Sequence, residues 1–144
     1  MNIKSTYFPK YYNLFAGLLD GLTGIILVFN PVFILSILGI SAAPDSIIFI
    51  KYVGVFVFST GASYFFSFAE KYFKIPSLNL SILIWHITSL TRISVSIFVF
   101  IKVFQVELSM PWLLVGLSDL SLAVFQIYLI QLNRNYIRDD IDAK

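Results

Sequence analysis

The sequence predicts an all-α integral membrane protein, an up-down four-helix bundle with a short interfacial helix after the first span. Three observations predict it. The 144 residues are 58% hydrophobic and only 12% charged, against roughly 45–50% apolar and 25% charged in a typical soluble domain. Mean hydropathy is +0.87, and a core that large would outgrow any polar surface the chain could supply, so a bilayer must cover it. The apolar residues also fall into four runs, each long enough to cross about 30 Å of hydrocarbon at about 1.5 Å per residue. Finally, each run carries small or polar residues at helical spacing, with its mid-membrane charge on that stripe.

Residues 1–12 form an entry segment. Tyr7, Phe8, Tyr11 and Tyr12, with Lys10, make an aromatic belt at a headgroup boundary. Span 1 covers about 10–29. It is too long for the apolar core of a signal peptide and contains Asp20 and Asn30-Pro31 at its exit, so it is expected to stay as a span rather than be cleaved. Asn30 ends it, because a residue before proline avoids the helical region. The same pair starts a second helix, about 31–38, with Asn30 as cap and Pro31 at the first position. That piece is only about 12 Å long and cannot cross. Gly39 ends it, and Ser41 to Asp45 is a turn.

Span 2 covers about 46–69. Glu70 to Lys74, then Pro76, make a short charged loop with its own interfacial aromatics. Span 3 covers about 78–101, and Lys102 to Met110 is the next loop. Pro111-Trp112 opens span 4, about 111–132. A polar tail, 133–144, follows. The four spans form one transmembrane domain. They put both termini on one side with Lys4, Lys10, Lys71, Lys74, Arg134, Arg138 and Lys144, leaving Lys51 and Lys102 to snorkel at the other. The excess of basic residues predicts cytoplasmic termini, in a bacterial inner or plasma membrane.

Four charges lie inside the spans. Asp20, Arg92 and Asp119 each stand about eight or nine residues from the outer end of their span, so all three lie roughly 12–14 Å deep. Lys51 is nearer the outside. A central Asp, Lys or Arg costs about 2.5–3.5 kcal/mol on insertion, so each span tolerates one charge, and none comfortably without a partner. The stripes are Asn13, Gly17, Asp20 and Gly24; Lys51, Gly54, Phe58 and Gly61; Trp85, Ser89, Arg92 and Ser96; and Gly116, Asp119, Ala123 and Gln126. A softer polar layer lies deeper, with Tyr64, Trp85, His86, Ser89 and Gln126.

Composition excludes several chemistries. With no cysteine and one histidine, disulfides, Cys-ligated zinc, iron–sulfur clusters and bis-histidine haem are ruled out. No metal site, cofactor or catalytic constellation is legible, and a net charge of +2 is too small to argue for nucleic acid.

Two stretches resemble the small four-helix bacterial membrane proteins of the DoxX-like kind, in their uncharacterised branch. One is GLLDGLTGIILVFNPVFILSILGI, with its Gly-rich helix, proline and Leu-Gly. The other is KYVGVFVFSTGASY, which carries Lys51, Gly54 and Gly61; Lys51 stands where arginine is commoner. WHITSLTRI and VGLSDLSLAVFQIYLI look like the third and fourth helices of that branch. The resemblance implies the architecture. It assigns no activity, since fold does not carry function.

Three functions fit the buried charge. The first is a non-enzymatic protein whose polar axis binds a small amphipathic or lipidic molecule or a partner membrane protein. The second is a proton-coupled transporter, as an oligomer, using Asp20, Arg92 and Asp119 with His86. The third is an enzyme acting on a lipid-like substrate, with Asp20 or Asp119 as general acid or base. Against all three stands a purely structural ion-pair network.

Overall fold

The computed structural model describes residues 4–142, with side chains from 8 to 133. Residues 1–3 of the entry segment and 143–144 of the tail lie outside the described residues. So do the side chains of Lys4, Tyr7, Arg134 and Arg138. The described chain is all-helical, and four of its helices are long and apolar enough to cross a membrane: Phe8–Phe29, Pro44–Phe68, Ser77–Phe104 and Trp112–Asn133. Large apolar side chains on all four point outward; Phe15, Phe49, Phe56, Leu90, Phe98 and Val124 are each more than half exposed. In water such faces would cost about 25 cal/mol per Å². In hydrocarbon they cost nothing, which is what a multi-pass membrane protein requires.

The chain divides into two compact units, one ending at Ile84 and the other starting at Trp85. The first holds α1 (Lys4–Phe29), α2 (Pro31–Ile37), α3 (Ile47–Tyr64), a single turn α4 (Glu70–Phe73), and the first turns of α5 (Ser77–Phe104). α1 begins at Lys4 rather than near Lys10. Pro9 sits inside it, early enough that its missing N–H removes only one bond near the helix end.

The α1–α2 corner follows from its residues. The Asn30 side chain accepts a hydrogen bond from the Phe33 N–H at 3.3 Å, and Pro31 takes the first helical position. α2 then stops at Gly39, whose φ of +68° is left-handed. Gly39 N–H donates to Ser36 C=O at 3.1 Å and Ile40 N–H to Leu35 C=O at 2.8 Å. This is the doubly bonded helix stop that glycine permits without a Cβ penalty. Leu35 and Ile40 are both buried beside it.

α1 and α3 run antiparallel at backbone contact. A Cβ on Gly24 would collide with the Phe58 backbone, and one on Gly61 with the Gly21 N–H and, at 2.9 Å, with the Asp20 carbonyl carbon. One on Gly54 would stand 3.0 Å from both the Gly24 oxygen and the Val28 nitrogen. Small residues permit this approach, and dispersion over the paired backbones holds it without any hydrophobic drive. Farther along, Tyr12 and Tyr64 meet edge to face, centroids 6.3 Å apart. The Asn13 amide donates to the Ser81 hydroxyl at 2.8 Å, tying α1 to the start of α5. α3 tightens to a 3-10 turn over Phe65–Phe68 before α4.

The second unit holds the rest of α5 and α6 (Trp112–Asp142). α5 runs past the expected end of its span to Phe104, and α6 continues through the predicted polar tail. The link between them is a tight turn in which Val106 takes φ 61°. Lys102, expected to snorkel at the outer boundary, is tied into this turn. Its ammonium donates to Glu107 at 2.9 and 3.0 Å and to Gln105 at 3.1 Å, while its carbonyl accepts from the Glu107 and Leu108 N–H groups. Paired cations at a helix C-terminus also suit its dipole.

Candidate functional site, the α5–α6 ion pair

The predicted stripes lie largely on the buried faces of α1, α5 and α6, while on α3 Gly54 and Gly61 are buried, Lys51 is half-buried and Phe58 is exposed. On α5, Trp85, Ser89, Arg92 and Ser96 are all buried, and so are Gly116, Ala123 and Gln126 on α6. The spacing puts these residues on one side of each rod, and the small ones let the rods close. A Cβ on Gly116 would stand 2.9 Å from the Phe100 ring and 3.2 Å from Val99. One turn along α5, the Ser96 hydroxyl lies 2.9 Å from the Gly116 carbonyl and 2.9 Å from the Arg92 carbonyl. It has one proton, so it donates to one of them at a time, either across to α6 or back within α5.

One turn farther, the Arg92 guanidinium donates through Nη1 to Asp119 Oδ1 at 2.5 Å. The arginine side chain is 8% exposed and the aspartate side chain 19%. Of the charges that the sequence places at one depth, the structure thus brings Arg92 and Asp119 into direct contact. Charge-assisted bonds of this kind are about twice as strong as neutral ones. The pair also cancels two formal charges that would each be costly in lipid.

No protein-family model, no curated protein and no solved structure matches the chain. The reading of the site therefore stands on its own geometry.

The remaining predicted residues are placed as follows. Asp20 belongs to the first unit. It is 9% exposed and lies where α1 meets Gly61 of α3. Lys51, also in the first unit, is half-buried one turn into α3. Of the softer layer, Tyr64, Trp85 and Gln126 are fully buried, at 0% each. Ser89 is buried, and its hydroxyl donates to the His86 carbonyl at 3.1 Å. His86 itself is exposed, because six residues of helix turn it about 120° from Arg92. Among the described residues no three His, Cys, Asp or Glu gather to hold a metal ion.

Sequence reasoning missed Ser81 as the partner of Asn13. The signal was there: Ser81 precedes Trp85 by four residues and extends the α5 stripe by one turn. It also missed Ser96 as the interhelical donor, although it named that residue on the stripe.

Proposed function

We propose that the chain is a multi-pass protein of a bacterial inner membrane, with cytoplasmic termini, and that Arg92 and Asp119 hold the polar head of a small amphipathic or lipidic molecule. The observation that carries this reading is the ion pair between two apolar spans. A buried pair adds little stability over apolar side chains of the same size, and often none. Its presence at mid-span, where ionisable groups mark functional sites by default, therefore asks for a use. Arginine presents a planar fork suited to carboxylate or phosphate. Asp119, the more open partner, is the side from which a head group would reach it. The kinship proposed with DoxX-like proteins rests on the Gly-rich spans, and Gly54 and Gly61 of that motif lie where α3 meets α1.

Native mass spectrometry of gently purified protein tests this. Wild type is expected to retain a discrete molecule distinct from bulk lipid. The charge-neutral double variant Arg92→Leu/Asp119→Leu is expected to lose it while staying folded. Bulk lipid alone on both proteins would make the pair structural. A co-purifying membrane protein lost in the double variant would instead identify a protein partner.

The openness of Asp119 also favours a second reading, proton-coupled transport by an oligomer. Proton flux in liposomes would then fall in Asp119→Asn. Flux unchanged in both Asp119→Asn and Asp20→Asn rejects that reading.

A further inference from the structure

One end of the first unit carries three lysines, Lys10, Lys71 and Lys74, that make no ion pair with another described residue. α1 and α3 run antiparallel, with Tyr12 beside Tyr64 and Gly17 beside Phe65. Lys10, two residues before Tyr12, therefore lies near the end of α3 and the α4 turn. The Asn13–Ser81 bond brings the start of α5 to the same level. The turn linking α3 to α5 carries Lys71 and Lys74, both exposed. Lys10, Lys71 and Lys74 make no hydrogen bond or ion pair with any described residue, and neither does Glu70, the one acid in the turn. Lys102 is the contrast: it is held by Glu107 and Gln105.

The lysines sit in an aromatic collar. Tyr72 is 83% exposed and packs at right angles on Phe73, centroids 5.1 Å apart. Phe73 packs edge-on against Phe66 at 6.0 Å. Lys74 takes the left-handed conformation, φ 54°, which ends α4 and turns the chain into α5. The collar thus joins ordered apolar rings to cations at the end of two spans, the depth of lipid phosphates.

We infer that Lys10, Lys71 and Lys74, framed by Phe66, Tyr72 and Phe73, form a binding site for an anionic phospholipid headgroup. Charge complementarity selects the occupant. Among the described residues at this end, three cations against one exposed acid leave an excess that a zwitterionic headgroup does not neutralise and a phosphatidylglycerol-type headgroup does. The aromatic rings fix the depth, so the headgroup reaches the ammonium groups while its acyl chains lie along the exposed apolar faces of α1 and α3. The inference rests on the membrane reading alone and not on any role for Arg92.

The test is lipid retention and exchange, measured by native mass spectrometry on protein reconstituted in nanodiscs of phosphatidylglycerol and phosphatidylcholine in equal parts. Wild type is expected to retain phosphatidylglycerol preferentially. Each lysine near an anionic surface contributes about fivefold, so Lys10→Gln/Lys71→Gln/Lys74→Gln is expected to lose roughly 100-fold in preference. The Lys→Arg triple variant, which inserts with the same charge, is expected to keep the preference, as is Lys102→Gln. Equal retention of both lipids by wild type, or a preference unchanged in the Gln triple variant, overturns the site. A chain found outside the membrane fraction would instead sink the membrane reading beneath it.

Discussion

Where α1 crosses α3, the helices touch through bare backbone at Gly24, Gly54 and Gly61. Where α5 meets α6, the contact includes the Gly116 backbone, the Ser96 hydroxyl and the Arg92–Asp119 ion pair. Both pairs are apolar rods with small residues on the inner face, yet they solve the lipid problem differently. Between α1 and α3 the gain is dispersion over a long, close approach, and it is lost if either backbone is pushed away. Between α5 and α6 the gain is local and polar, and it depends on two groups neutralising each other. The first contact tolerates no added atom, while the second tolerates no unmatched charge.

Removing one member of the ion pair should produce the largest effect. Asp119→Leu removes the carboxylate to which Arg92 Nη1 donates, and removing one member of a buried pair costs about 3–5 kcal/mol. Because Asp119 is 19% open, the lower end, about 3 kcal/mol, is expected here. Unfolding in a mixed detergent titration would measure it. Arg92→Leu/Asp119→Leu should recover most of that loss, since apolar replacement of a whole pair is close to neutral. A double variant as unstable as Asp119→Leu would show that packing rather than charge matching holds α5 to α6, and the contrast between the two contacts would collapse.

Next comes the close approach itself. Gly61→Ala and Gly24→Ala each place a methyl against opposing backbone, which cannot swing aside as a side chain can. Overpacking of this sort costs about 1–3 kcal/mol. Gly116→Ala should cost less, about 1 kcal/mol, because what it meets is the Phe100 ring and the Val99 methyl, and side chains can shift. The same detergent titration ranks the three. If Gly116→Ala proved the most damaging, the α5–α6 contact would be the backbone-packed one.

Much of this was legible before any coordinates. Span positions follow from apolar run length, and the stripes from 4-3-4 spacing, because in lipid only helices satisfy the backbone and small residues mark where they meet. Asn30-Pro31 and Gly39 encode their corner in local chemistry. What could not be read is pairing. Asp119 stands at the depth of Arg92, but periodicity alone does not say that the two side chains make direct contact. The Lys102–Glu107 closure was hidden because the turn that permits it bends at Val106, a β-branched residue that gives no turn signal. His86 was legible: its six-residue offset turns it about 120° from Arg92, and it lies on the exposed side.

Gly21 supplies the smallest effect and the sharpest control. It is adjacent to Asp20 and belongs to the same glycine-rich segment as Gly17 and Gly24, so sequence alone treats the three alike. Its backbone nitrogen faces Gly61, but a Cβ built on Gly21 itself meets nothing within 4 Å. Gly21→Ala therefore adds a methyl in open space and removes a glycine from a helix interior. Helix propensity then favours the variant by up to about 1 kcal/mol. A measured gain, beside losses for Gly24→Ala and Gly61→Ala, would show that the α1–α3 contact reads individual methyl positions. A loss at Gly21 as large as at Gly24 would mean that α1 packs through a different face, and the backbone crossing at Gly61 would have to be redrawn.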